Sequence, residues 1–331
     1  MVSIKDVAKH AGVAISTVSK VLNNYPSVSE ATKEKVNIAI EELHFVPNAV
    51  ASALSSKQSG RVALLIKLNT QTQAIDEIDM RYLSGAISRA EELKLDVITV
   101  FFSMIKEKNL EELIRYFQVQ SITGIVIFGM SRQDKVLHNL VESGNFKVVL
   151  VDAPVVNDQT SCVWIDQSQA QSDVIEHTIL MSRYHCKSLL YIAGREQGYV
   201  TQYRLKGAHQ IAEQMKLQLR VEKGDFSELR AREITMRHGK EFDIIACASD
   251  LMAIGAMRAL TEMDIFHPVC GFDGITLMGY AGMQMNTVKQ DFAAVASAAV
   301  GELNRLLEGG KGQQIILPHT LERLQYLDII C

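Results

Sequence analysis

Ile15, Ser16, Ser19 and Lys20 fall one helical turn apart, offering a branched apolar group, two hydroxyls and an ammonium on a single face of a short amphipathic stretch. An outward face of this kind is where a recognition helix meets the edges of base pairs, and Val18, Val21 and Leu22 supply the inward face that would hold it. Lys5, Lys9, Lys33 and Lys35 add positive charge nearby. The bland alternative is a small helical hairpin with a solvated polar face. Enzyme chemistry finds no foothold: the chain has no Gly-x-Ser-x-Gly elbow, no phosphate-binding P-loop, no HExxH pair and no Gly-x-Gly-x-x-Gly fingerprint, and its histidines are dispersed.

The elements that must position the outward face are legible around it. Ser3, three residues before Asp6, signals a helix start, and Ile4, Val7, Ala8 and Ala11 repeat at helical spacing before Gly12 permits a sharp turn. The second helix is expected to begin near Ile15. Asn23 to Ser27 is turn chemistry, Ser29 is placed to cap a third helix, and Val36, Ala39, Ile40 and Leu43 line its inner face. Three such helices can close a small core. After Pro47-Asn48, residues 49–56 form a short helical run with little to pack on, which is marginal alone, and 57–60 read as a polar linker.

Beyond Gly60 the pattern changes. Val62 to Ile66 is a continuous apolar run of the kind a buried parallel strand shows, followed by further runs at 97–102, 124–128, 148–151, 189–193 and 244–247 with helical stretches such as 82–93 between. That alternation predicts a doubly wound α/β architecture, and the length from Arg61 onward favours two similar lobes over one sheet. Ligands in such folds lie at strand ends.

The whole chain has 331 residues, 47% of them hydrophobic, and a formal net charge of −4. This is enough for a sizeable core in more than one domain, and any affinity for nucleic acid must be local to the first segment. Cys162, Cys186, Cys247, Cys270 and Cys331 are odd in number, scattered and without metal-ligand spacing, so reduced thiols and no metal are expected. No cofactor is implied. The start lacks an apolar signal core and no run reaches the roughly 18 apolar residues of a membrane span, which predicts a cytoplasmic protein.

The sequence resembles the lactose-repressor/galactose-repressor (LacI/GalR) family of bacterial transcription regulators over essentially its full length. The carrying residues are Ile4-Lys-Asp-Val-Ala8, Ala11-Gly-Val13, Thr17-Val-Ser19, Val28-Ser29, Thr32, Pro47-Asn48, Ala51 and Leu54. Arg204-Leu-Lys-Gly207, the Asp-containing helix start at 248–255 and the glycine-aromatic-aspartate turn Gly271-Phe-Asp273 carry it further. The resemblance implies an all-α helix-turn-helix headpiece at 1–46, a hinge helix and linker at 47–60, and an α/β core at 61–331 of two lobes, like periplasmic sugar-binding proteins. The first lobe is placed at about 61–165 and 291–319, the second at about 166–290 and 320–331, with crossings near Ile165-Asp166, Gln290-Asp291 and Pro318-Thr320.

By the same resemblance, Ser3, Ile15, Ser16, Thr17, Ser19, Lys20, Asn23, Asn48, Ala51 and Leu54 are the DNA-contacting set, with Leu54 wedging into the minor groove as its helix orders on the operator. Ala14 and Lys20 stand where many relatives carry serine and arginine, which bears on the operator sequence. The effector set is Asp152, Arg204, Phe226, Ser249 and Asp273. Arg204 offers a planar fork of donors, Asp152 and Asp273 carboxylates at strand ends, and Phe226 a flat ring for a sugar or base; a capping role competes at Ser249. The stretch from Met263 to Gly271 is shorter than usual and residues 284–288 reduce a common family motif, so the pocket is expected to be reshaped.

The reading is therefore a homodimeric regulator, a repressor, that binds a palindromic operator in double-stranded DNA and responds to a small polar effector, a sugar or sugar derivative, between the lobes. A free-standing cytoplasmic sensor without an operator role is the rival from another class.

Overall fold

The computed structural model describes residues 4–22, 28–43, 61–67, 76–182, 185–281 and 284–323. The expectations placed on Ser3, Asn23, Asn48, Ala51, Leu54, the hinge segment and Cys331 lie outside these residues. The chain divides into two compact units, Met1–Gly60 and Arg61–Cys331.

In the first unit α1 (Ile4–Ala11), α2 (Ile15–Leu22) and α3 (Glu30–Glu42) enclose Val7, Ala8, Val18, Val21, Val36 and Ala39. Gly12 ends α1 with φ +66°, and the amide of Val13 donates to the carbonyl of Ala8 at 3.0 Å, the wrapped closure that a residue in the left-handed region makes possible. His10 reaches Glu42 at 2.6 Å and ties α1 to α3. Ser29 occupies the cap position of α3, but its hydroxyl pairs with Thr32 Oγ1 at 2.9 Å and makes no side-chain bond to the helix backbone.

The second unit holds two six-stranded sheets. The first is built from β1 (Arg61–Ile66), β2 (Val97–Phe101), β3 (Ile122–Phe128), β4 (Lys147–Val151), β5 (Thr160–Ile165) and, far along the chain, β11 (Gln314–Leu317). Their order is β11-β5-β4-β3-β1-β2, every pair parallel. Helices α4 (Asp76–Glu92) and α11 (Phe292–Leu307) cover one face; α5 (Leu110–Val119) and α6 (Lys135–Glu142) cover the other. A single helical turn, Phe102–Ile105, follows β2, so the expected strand ends one residue early.

The second sheet takes β6 (Ser188–Ala193), β7 (Gln218–Lys223), β8 (Ile244–Cys247), β9 (Val269–Asp273), β10 (Asn286–Lys289) and β12 (Thr320–Arg323) in the order β12-β10-β9-β8-β6-β7. Only β12 runs antiparallel to its neighbour. Helices α7 (Gln167–Met181), α8 (Tyr199–Gln214), α9 (Glu228–His238) and α10 (Asp250–Glu262) pack around it. The residues read as a glycine-aromatic-aspartate turn are the last three of β9, with Phe272 fully buried.

The chain leaves the first sheet after Ile165, returns after Lys289 and crosses again between Leu317 and Thr320. The first two crossings are followed at once by Gln167 and Gln290, which join the hydrogen-bond network of the site described next. Cys162, Cys186, Cys247 and Cys270 are free and buried. Among the described residues no helix is long and apolar enough to cross a membrane.

Candidate functional site

The recognition face stands as its spacing requires. Ile15, Ser16 and Lys20 are exposed on α2, Thr17 and Ser19 are half-buried at its margin, and Val18 and Val21 point into the three-helix core. Two buried valines on a helix of eight residues fix which way the rest must point.

In the second unit a cavity of about 410 Å³ opens between the C-terminal ends of the two sheets, in the lower part of the range of roughly 300–1,000 Å³ usual for small-ligand sites. All five expected effector residues line it: Asp152, Arg204, Phe226, Ser249 and Asp273. Asp152 follows β4, Asp273 ends β9 and Phe226 follows β7; all three carry positive φ, at 62°, 123° and 61°. That conformation strains a residue with a side chain, and here it turns each one at a strand end toward the cavity.

Arg204 is the centre of the arrangement. It lies in the second turn of α8, not at the helix start, and is only 4% exposed, so it is no surface arginine. Gly207 lets α8 approach closely: a Cβ there would sit 2.1 Å from the carbonyl oxygen of Ser168 on α7. Arg204 Nε donates to Gln167 Oε1 at 2.8 Å, and its Nη1 donates to the carbonyl of Ala248 at 2.6 Å and to Asp273 Oδ1 at 3.3 Å. The guanidinium stacks over the Phe272 ring, 3.6 Å from its centroid. Gln167 passes the connection on, donating to Asp152 Oδ1 at 3.0 Å, while the Tyr82 hydroxyl donates to Asp152 Oδ2 at 3.1 Å and Gln290 donates to Asp273 Oδ1 at 3.1 Å.

Two carboxylates in so dry a space are costly. Burial pushes Asp273 up to about 6, with the nearby Asp152 adding to the shift and Arg204 opposing it. Burial raises Asp152 too, against the pull of Arg204 and the hydrogen bonds from Tyr82 and Gln167. Behind them Asp250 is fully buried and raised to about 7 by burial and by Asp273. It accepts bonds from the amides of Gly274 and Ile275 at 2.8 and 2.9 Å and from the Thr287 hydroxyl at 2.5 Å, which fixes the loop that follows Asp273.

An apolar wall completes the cavity. Tyr82 lies 4.9 Å from Phe128 and 5.2 Å from Phe292, ring centroid to centroid, and Phe226 covers Gly194, whose missing Cβ would meet the ring at 2.1 Å. Flat rings beside paired donors and acceptors can hold a molecule with one apolar face and several hydroxyls. Ser249 caps α10, accepting from the amide of Met252 at 3.4 Å, and stands at the wall of the cavity.

Contacts between the lobes flank the opening. Thr276 donates to Glu77 from its amide at 3.0 and 3.1 Å and from its hydroxyl at 2.7 Å. Opposite, the amide of Arg132 donates to the carbonyl of Gln197 at 3.0 Å, and its guanidinium to that of Glu196. Tyr82, Gln167 and Gln290 escaped the sequence reading. The signal for the two glutamines was their position, each beside a chain crossing between the lobes.

Comparison with known proteins agrees with both halves. The family description "Bacterial regulatory proteins, lacI family" matches residues 3–48, and "Periplasmic binding proteins and sugar binding domain of LacI family" matches residues 81–306. The lactose operon repressor of Escherichia coli (strain K12) is 29% identical, over 97% of this chain and 90% of its own. A crystal structure of the lac repressor dimer bound to operator and the anti-inducer ONPF superposes with a TM-score of 0.79 at 26% identity, covering 97% of this chain and 98% of that one. The complex of the transcriptional regulator CelR with cellobiose gives 0.68 at 25% identity, covering 98% and 99%. The chain belongs to the LacI family of bacterial regulatory proteins, as a transcriptional regulator with a helix-turn-helix DNA-binding domain and an effector-binding domain.

Proposed function

We propose that this regulator is a homodimeric repressor of a palindromic operator and that a sugar or sugar derivative, held in the cavity between the lobes, sets its affinity for DNA. The observation that carries this reading is the chain Asp152, Gln167, Arg204, Asp273: alternating acceptors and donors from both lobes, beside an aromatic wall, in a space of about 410 Å³. A polyhydroxylated ligand offers adjacent hydroxyls that can donate to Asp152 and Asp273 and accept from Arg204, and its apolar face suits Phe226 or Phe292. Asp152 belongs to the first sheet and Arg204 and Asp273 to the second, so such a ligand binds one arrangement of the lobes better than another, which is what coupling to DNA requires.

At the other end Ile15, Ser16, Thr17, Ser19 and Lys20 read base edges in the major groove, while Lys5, Lys9, Lys33 and Lys35 add attraction to phosphates. One helix covers few base pairs, and a dimer on an inverted repeat supplies the missing discrimination. A relative crystallised as a dimer on operator and another with cellobiose support the reading. The test is a thermal-shift screen over sugars, sugar phosphates, nucleosides and bases on the parent, Arg204→Ala and Asp273→Ala, paired with gel shifts on DNA flanking the gene. A sugar that stabilises the parent but neither variant, together with binding at a palindrome, supports the proposal. A ligand that stabilises all three equally, or the absence of any palindrome bound in any ligand state, refutes it.

A further inference from the structure

A second cavity, of about 480 Å³, lies beside the first at the C-terminal ends of β1, β2 and β3. Four lysines line it: Lys67 after β1, Lys106 and Lys108 after the helical turn that follows β2, and Lys135 at the start of α6. We propose that this cavity is a binding site for a phosphate-bearing small molecule, separate from the effector cavity and adjoining it through Lys67 and Gln133, which line both.

The charge balance is the first argument. Asp134 is the acid among the lining residues, and it is largely engaged, accepting from the amide and the hydroxyl of Ser131 at 2.7 Å each while standing 3.6 Å from Lys67. Lys67 shares Asp134, while Lys106, Lys108 and Lys135 have no carboxylate partner among the described residues, and an anion in the concavity relieves the repulsion among them.

The second argument is shape. Ile105, Leu113 and Leu137, all buried, form an apolar floor, and a low-dielectric wall focuses the field of the lysines into the space above it. Two of the four ammonium groups are held over rings, Lys67 over Phe102 at 5.4 Å and Lys108 over Tyr116 at 5.3 Å, which limits where they can go. The third argument is place: the ends of parallel strands are where open α/β sheets bind their ligands. A concavity at strand ends that gathers four lysines around one acid, itself already engaged by Ser131 and Lys67, is not explained by packing.

Inorganic pyrophosphate is the probe, titrated into the full-length protein and followed by calorimetry and melting temperature against sodium chloride of equal ionic strength. Lys106→Glu combined with Lys135→Glu changes two exposed side chains that touch this cavity and not the effector cavity. Pyrophosphate is expected to stabilise the parent beyond the salt control. The charge-reversed pair should lose at least about tenfold in affinity, the scale of one charge-assisted hydrogen bond, and the pair Lys106→Arg, Lys135→Arg should keep it. Three results would overturn the proposal: no stabilisation beyond salt, equal affinity in the charge-reversed pair, or loss of binding in Arg204→Ala with the charge-reversed pair unaffected.

Discussion

The candidate recognition face and the candidate effector cavity are assembled in opposite ways. On α2 the outward residues come from one run, Ile15 to Lys20, and a helix of eight residues with two buried valines sets their direction. At the cavity Tyr82, Asp152, Arg204, Asp273 and Gln290 arrive from separate elements, and hydrogen bonds between side chains, some relayed by the buried Gln167, set their positions. Local geometry suffices for the first; the second needs the whole core. A substitution on α2 should therefore remove one contact at a time, whereas one in the cavity should disturb several.

The largest effect is expected at Arg204. Arg204→Ala deprives Asp273 of its cationic partner and Gln167 of its donor in a buried setting. Truncating one side of such a pair costs about 2–5 kcal/mol, so effector affinity measured by calorimetry should fall by roughly thirtyfold to several thousandfold. Binding to a non-specific DNA fragment should be unchanged; an equal loss there would place the damage in the fold and not in the cavity.

Next in size is the recognition face. Lys20→Ala and Ser16→Ala should each weaken operator binding by about 1–3 kcal/mol if the side chain reads a base, with effector affinity untouched. Anisotropy on operator and scrambled DNA separates the cases. A loss shared by both sequences would make the residue a phosphate contact and break the contrast drawn here.

How far this contrast could be seen beforehand follows from the same difference. The helix-turn-helix was legible because apolar spacing and Gly12 act over a few residues. Of the central strands, β5, β9 and β10 went unread, the end of β9 being taken for a turn, while β1, β3, β4, β6 and β8 were legible as apolar runs. The strands β7, β11 and β12 were not: Gln218–Lys223, Gln314–Leu317 and Thr320–Arg323 lie at sheet edges and are partly exposed, so their pattern is mixed. Arg204 and Asp273 were found through motifs of the family resemblance, and Asp152 by its place at a strand end. Tyr82 was missed because an aromatic on an amphipathic helix reads as core, and its hydroxyl meets Asp152 only after the fold brings them together.

A smaller effect concerns pH. Burial holds Asp273 at about 6, above its ordinary 3.8, so between these values the folded protein carries more protons than the unfolded chain. Its contribution to stability is present below pH 3.8 and is lost as pH rises through about 6. A ligand hydroxyl that donates to the charged carboxylate reverses this, because binding must release the proton. Effector affinity should rise as pH goes from 5 to 7, by up to about tenfold for one proton, and level off above. Calorimetry across that window, repeated on Asp273→Asn, checks it: the slope should fall in the variant, with Asp152, also raised by burial, carrying what remains.

Operator affinity measured with and without the effector, in the parent and in Arg204→Ala, tests most directly whether the cavity governs the recognition helix. The account predicts a shift of about 5- to 150-fold in the parent at saturating effector, the usual range for coupled sites, and none in Arg204→Ala at the same concentration, with the variant binding operator as the effector-free parent does. A saturating ligand that leaves the parent's operator affinity unchanged, or that shifts both proteins alike, would contradict it.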